Sequence, residues 1–231
     1  MTLTQLSHAS GLPIATTYRL ACELVKSGAI ERNDDGQFQI GLRLWELGSL
    51  APRQRDLCRV ARPMMENLHE ATLETVQLAV LENHRALCVE KISGSQSVSN
   101  VTEVARGLPL HATSVGKIIL AFSEAGLDEL AGRRLRRYTP HTVINTGKIA
   151  EELARIRREY VAFVRDEFTV GTASAASPIF DGRGEFVAAL GVLTSSPPSR
   201  RGLGPAVRIA ALSISQRLGH RRTGPPLGAH T

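Results

Sequence analysis

The strongest constraint on the fold is a change of hydrophobic period at Glu74. Before it, Leu57, Val60, Met64, Leu68 and Ala71 recur every three or four positions, so residues 55–72 read as a helix, kinked or restarted at Pro63. After it, Val76, Leu78 and Val80 alternate, the period of a strand. Residues 82–85 then read as a turn and Ala86–Ile92 as the returning strand, with another extended stretch at Val98–Val104. Val115, Ile118, Ile119 and Phe122 predict a helix opening at Thr113 or Ser114, and Ile149, Leu153, Ile156 and Tyr160 a second. Val161–Val164, Ser174–Phe180 and Glu185–Leu193 read as strands, the last two joined by a turn at Asp181-Gly182-Arg183-Gly184. Leu203, Val207, Ala210, Ile214 and Leu218 close the pattern with a helix. Strands interspersed with helices over such a length imply one α+β domain. The Pro/Gly/Arg-rich tail, residues 220–231, is expected to be disordered.

The first fifty residues follow a different plan. Thr2 and Gln5 form a T-x-x-Q capping box, so a helix starts there, with Leu3 and Leu6 on one face. Gly11-Leu12-Pro13 stops it. A second helix is expected from Ile14 to Ser27, carrying Leu20, Leu24 and Val25 at helical spacing and ended by Gly28. Residues 29–33 and 37–41 are short extended runs around Asp34-Asp35-Gly36, and Asp-Gly is a strong hairpin signal. Helix, tight turn, helix and two-stranded wing is the order of a winged helix-turn-helix. A connecting helix is expected at Leu42–Leu50, with Leu44 and Leu47 inward and Pro52 breaking it.

Charge says less than its total. The chain of 231 residues carries 28 Lys and Arg against 22 Asp and Glu, a net charge of +6. The excess lies in Arg133, Arg134, Arg136 and Arg137, in Arg155, Arg157 and Arg158, and in a tail without acids after Glu185. The first fifty residues are not basic, so these clusters read as solvated faces rather than a nucleic-acid surface. Three scattered cysteines, Cys22, Cys58 and Cys88, fit neither a disulfide framework nor a zinc site. No run is apolar enough to span a bilayer and no secretory signal opens the chain, so a cytoplasmic protein with no membrane partner is expected.

Three blocks together resemble the IclR family of bacterial regulators. The first comprises Leu3-Thr4-Gln5-Leu6, Gly11-Leu12-Pro13, Thr16-Thr17-Tyr18-Arg19-Leu20 and the wing through Gly41. The second is Leu108-Pro109-Leu110-His111-Ala112-Thr113-Ser114-Val115-Gly116-Lys117. The third holds Glu167, Gly171, the run Ser174-Ala175-Ala176-Ser177-Pro178-Ile179-Phe180-Asp181 and Ala188-Ala189-Leu190-Gly191-Val192. The resemblance implies a winged helix-turn-helix at residues 1–42, a linker helix at 43–54 and a GAF-like effector domain at 55–219. In that domain a mixed or antiparallel sheet is flanked by helices. It also implies homodimers or dimers of dimers on palindromic double-stranded DNA operators, controlled by a small-molecule effector. Family members have one more helix before the segment that starts here at Thr2. Its lack is expected to expose apolar faces of the next two helices, and a ligand-binding or oligomerisation protein without DNA binding is the alternative reading.

Candidate sites follow from both lines. In a helix-turn-helix the start of the second helix enters the major groove. Ile14, Ala15, Thr16, Thr17 and Arg19 are the candidates there, with Arg32 and Gln37 on the wing. Thr hydroxyls suit phosphates, and Arg suits a guanine edge or a phosphate. His111 to Lys117 places His, Thr, Ser and Lys together, but nothing in the spacing sets a base on a nucleophile, so no catalytic residue is assigned. The resemblance puts this block beside the effector pocket, where N–H groups at a helix start favour a carboxylate, and Ser114 and Val115 are candidates. His111 and Lys117 read as structural. By the same resemblance Val164, Ser174, Gly191 and Leu193 line the opposite wall. Some organic-acid sensors of the family carry serines at the last two positions and an acid at the first, so this wall is less polar. An aromatic or bulky apolar acid is expected rather than a two-carbon keto acid. No cofactor and no metal are expected, since no His/Cys/Asp/Glu cluster has ligand spacing.

Overall fold

The computed structural model describes residues 1–49, 52–93, 107–124, 126–130, 132–195 and 200–221. The stretch expected at Val98–Val104 and residues 222–231 of the tail lie outside them. The chain divides into two compact units, Met1–Asp56 and Leu57–Thr231.

In the first unit, α1 (Leu3–Ser10) begins with the capping box formed in both directions: Gln5 N–H donates to the Thr2 hydroxyl and Thr2 N–H to the Gln5 side chain. Gly11 takes φ +68°, which ends α1 and turns the chain into α2 (Ile14–Lys26). Strands β1 (Ile30–Arg32) and β2 (Phe38–Ile40) pair antiparallel, Ile30 opposite Ile40, around a turn whose Gly36 has φ +73°. Helix α3 (Leu42–Ser49) follows. Gly41 meets the Gly28 carbonyl so closely that a Cβ would sit 2.3 Å from it, so the wing closes onto the turn after α2 only with glycine there. Leu20, Leu24 and Val25 are exposed on α2, as expected of its apolar face, and the buried residues there are Thr17 and Ala21. One expectation fails: Leu44 and Leu47 of α3, expected inward, are exposed. Helical spacing marks a stripe, but so small a unit has too little surface to cover it.

The second unit is built on a six-stranded antiparallel sheet in the order β5-β4-β3-β8-β7-β6. Its strands are β3 (Thr75–Glu82), β4 (Arg85–Ile92), β5 (Gly107–Leu108), β6 (Ala162–Arg165), β7 (Thr172–Phe180) and β8 (Phe186–Ser195). Helix α3 ends at Ser49, ahead of Pro52 as expected; α4 (Pro52–Thr72) opens at that proline, before the expected Arg55, and runs continuously through Pro63 instead of restarting there. From Leu57 onward α4, with α7 (Arg200–Arg217), covers one face of the sheet. Ala61, Met65, Leu68, Val207 and Ile214 pack there on Val76, Leu78, Ala175, Leu190 and Val192. The alternate residues Ala79, Ala176 and Ala189 face α5 (Ser114–Phe122) and α6 (Thr146–Glu159) on the other side. Their small side chains let Val115, Ile118 and Ile119 of α5 sit close to the sheet. His220, expected in a disordered tail, is held: its N–H donates to the Ser215 carbonyl and its ring stacks on Phe180 at 5.4 Å.

Candidate functional site

Where α5 begins, it touches the sheet at Gly191. A Cβ at that position would lie 2.7 Å from Val115 Cγ1 and 3.4 Å from the Gln77 amide nitrogen. Beyond this contact the same face continues as one cross-strand row, Thr75, Leu193, Ser174 and Val164 on β3, β8, β7 and β6. An open cavity of about 360 Å³, its mouth included, lies over that row. Gln77, Leu193, Ser174 and Val164 form its floor. Leu108 at the end of β5 and Ala112 and Thr113 ahead of α5 wall it on one side, and Phe168, between β6 and β7, with Thr172 at the start of β7 on the other.

The polar character of the cavity is concentrated at the start of α5. The Thr113 hydroxyl donates to the Pro109 carbonyl at 2.9 Å and accepts the Gly116 N–H at 3.1 Å. The N–H groups of Ser114 and Val115 then have no partner within the helix, and the helix dipole adds positive potential. The first turn carries no acid to offset it. Close by, Ser114 Oγ, Gln77 Oε1 and Thr75 Oγ1 are buried without a hydrogen-bond partner. Each such group costs about 1–3 kcal/mol when left unpaired; of the three residues Gln77 lines the cavity, where its free oxygen suits a polar ligand group.

The walls are fixed from behind. Lys117, fully buried on α5, donates to Glu152 of α6 at 2.8 Å and to Glu167 at 2.5 Å. The second oxygen of Glu167 accepts the Val143 N–H, and its carbonyl accepts the Thr142 hydroxyl at 2.6 Å. Glu167 thereby anchors the segment that presents Phe168. The Phe168 ring meets Tyr138 edge-on at 4.9 Å, and Tyr138 stands 5.9 Å from His111. His111 Nε2 lies 3.0 Å from the Arg136 carbonyl, which can only accept, so Nε2 carries the proton. Burial lowers the His111 pKa and keeps the ring neutral.

Three of the expected pocket residues, Val164, Ser174 and Leu193, line the cavity. The other three stand differently. Ser114 is buried at the start of α5, and the Val115 side chain fills the contact against Gly191, so neither Val115 nor Gly191 presents a side chain to a ligand. Gln77, Thr113 and Phe168 were not anticipated. Gln77 was legible only as a polar residue at an odd position of β3, opposite in facing to Val76 and Leu78.

On α2, Ile14, Ala15 and Arg19 are exposed and Thr16 is half-buried. Thr17 is corrected: it is buried, and its hydroxyl donates back to the Pro13 carbonyl at 3.1 Å, a turn-closing role. On the wing, Gln37 is exposed. Arg32 instead folds onto its own hairpin, donating to the Gly36 carbonyl at 2.9 Å and covering the Phe38 ring. Among the described residues no cluster of His, Cys, Asp or Glu could hold a metal, and no helix is long and apolar enough to cross a membrane.

Comparison with known proteins agrees with both units. Residues 1–34 match the IclR helix-turn-helix domain, and residues 50–216 match the bacterial transcriptional regulator IclR C-terminal family. The chain is 32% identical over 203 residues to the transcriptional repressor IclR of Escherichia coli, covering 86% of this chain and 73% of that one. It is 30% identical to the transcriptional repressor AllR of Salmonella typhi, covering 94% and 82%. A crystal structure of an IclR homolog from Microbacterium hydrocarbonoxydans, complexed with 4-hydroxybenzoate, superposes with a TM-score of 0.87 at 31% identity over 94% of this chain and 91% of that one. The Thermotoga maritima IclR structure gives a TM-score of 0.74 at 25% identity over 95% and 92%. These relatives are transcriptional regulators, not enzymes. With its helix-turn-helix, its effector domain and this degree of likeness, the chain belongs to the IclR family of bacterial transcriptional regulators.

Proposed function

We propose that this regulator binds a palindromic operator through the start of α2 and the wing, and that a small aromatic acid controls the binding. The observation that carries the effector reading is the cavity over Leu193, Ser174 and Val164. Leu108, Val164, Phe168 and Leu193 offer apolar and aromatic surface for a ring, and the start of α5 offers free N–H groups for a carboxylate. The 4-hydroxybenzoate complex of a relative of similar fold supports the same class. On the DNA side, Ile14, Ala15, Thr16 and Arg19 are the contacting residues, Gln37 touches the adjacent backbone, and Arg32 stiffens the wing.

Regulation then takes the form of a ligand-biased equilibrium between homodimer or dimer-of-dimers arrangements. Effector binding changes how the effector domains associate, and α4 carries the change to the spacing of two recognition helices. A ligand shifts such an equilibrium only by its differential affinity for the two states. A thermal-shift panel tests the effector class. Benzoate, 4-hydroxybenzoate and phenylacetate are expected to raise the melting temperature, with little effect of glyoxylate or pyruvate. Stabilisation by the keto acids alone would refute the aromatic reading.

A further inference from the structure

We propose that Gln77 is a specificity residue of the cavity, whose amide reads a hydroxyl that the effector carries on the carbon next to its carboxylate. The inference deepens the effector reading above and rests on it.

Gln77 is 3% exposed, lines the cavity and leaves Oε1 without a partner. Its neighbours on the same face of the sheet are Thr75, Ala79, Lys91, Gly191 and Ala176, and Oε1 is hydrogen-bonded to none of them. A leucine or methionine would fill the position without an unmet acceptor. An unpaired buried acceptor is an instruction about the ligand, which must bring a donor to that point. A carboxylate cannot do so, because when ionised it only accepts.

Placement adds the second half. The Gln77 amide and Val115, the second residue of α5, close on Gly191 from two sides. The amide therefore stands beside the helix start that suits a carboxylate, its nitrogen toward Gly191, and not at the far end of the cavity, where Val164 lies three strands away on β6. Ser114 Oγ, also unpaired and 1% exposed, belongs to the same helix start. A donor adjacent to a carboxylate is the pattern of a 2-hydroxy acid. Its ring extends over Leu193 toward Val164 and Phe168.

Isothermal titration of the full chain with paired probes tests this. Mandelate is expected to bind at least about tenfold tighter than phenylacetate, the worth of one buried hydrogen bond. 4-Hydroxyphenylacetate, with its donor across the ring, is expected to gain less. Gln77→Met is expected to abolish the preference for mandelate over phenylacetate. Without ligand, Gln77→Met is expected to melt at or above the parent, since it removes an unpaired amide. Equal binding of mandelate and phenylacetate by the parent, or a preference that survives Gln77→Met, overturns the proposal. Lactate against propionate separates the two readings. If aromatic acids fail but lactate wins in a Gln77-dependent way, Gln77 stands and the aromatic reading falls. If no acid binds, both fall.

Discussion

Gly191 shows how one residue sets the site. Its missing Cβ is the space into which Val115 packs, 2.7 Å from where that carbon would be. Gly191→Ala is expected to push the first turn of α5 off the sheet, costing about 1–3 kcal/mol of stability as overpacking does. Urea unfolding measures that cost, and effector affinity should fall as well, because the N–H groups of Ser114 and Val115 move with the helix. His111 makes a pH prediction. Its pKa lies below its ordinary value of 6.5 through burial, so below about that pH the unfolded chain binds the extra proton and the folded one resists it. Stability should therefore decline as pH falls from about 6.5. His111→Gln, which keeps a donor for the Arg136 carbonyl, should remove that part of the decline in melting temperature. At this scale the sequence was partly legible. Ser174 and Leu193 could be placed on the cavity side by the family resemblance, and they face each other across β7 and β8. Thr17 could not be told from Thr16, since only the bend of the helix start decides which hydroxyl turns back to Pro13.

Among the elements, α5 is the organising one. Its start offers donors to the cavity, its middle fills the core with Ile118 and Ile119, and its buried Lys117 ties α6 and the segment of Phe168 together. Lys117→Met is expected to leave Glu167 without its cation and Glu152 with Arg155 alone, and to cost about 3–5 kcal/mol, read from denaturant midpoints. A weakened hold on Phe168 should appear as a lower effector affinity in the surviving folded protein. The elements with caps or long periods were readable in advance: the Thr2–Gln5 box, the glycine after α1, the paired strands β7 and β8. The two-residue β5 and the 3₁₀ turn at Gly126–Leu130 were not, because so few residues display no period. The exposure of Leu44 and Leu47 was also hidden from spacing, which marks an apolar stripe but not what covers it.

At the scale of the whole molecule, the change of period at Glu74 correctly announced the sheet-based part of the second unit, and the first fifty residues a helix-turn-helix with a wing. Charge contributed nothing to that reading. Arginines 133, 134, 136 and 137 lie in the second unit, and Arg137 is engaged with the Pro140 and Thr142 carbonyls. Family membership makes the chain a transcriptional regulator. The central claim beyond that is that one chain reads DNA through α2 and releases or tightens it through the cavity. The most direct measurement is fluorescence anisotropy of the full chain on DNA from upstream of its own gene, across a salt series, with and without an aromatic acid. Arg19→Ala serves as the control. The expected result is sequence-specific binding with a salt slope reporting several phosphate contacts. Arg19→Ala should lose it, and a ligand that raises the melting temperature should shift the affinity. Binding that is indifferent to sequence, or specific binding that Arg19→Ala and every stabilising acid leave unchanged, would contradict it.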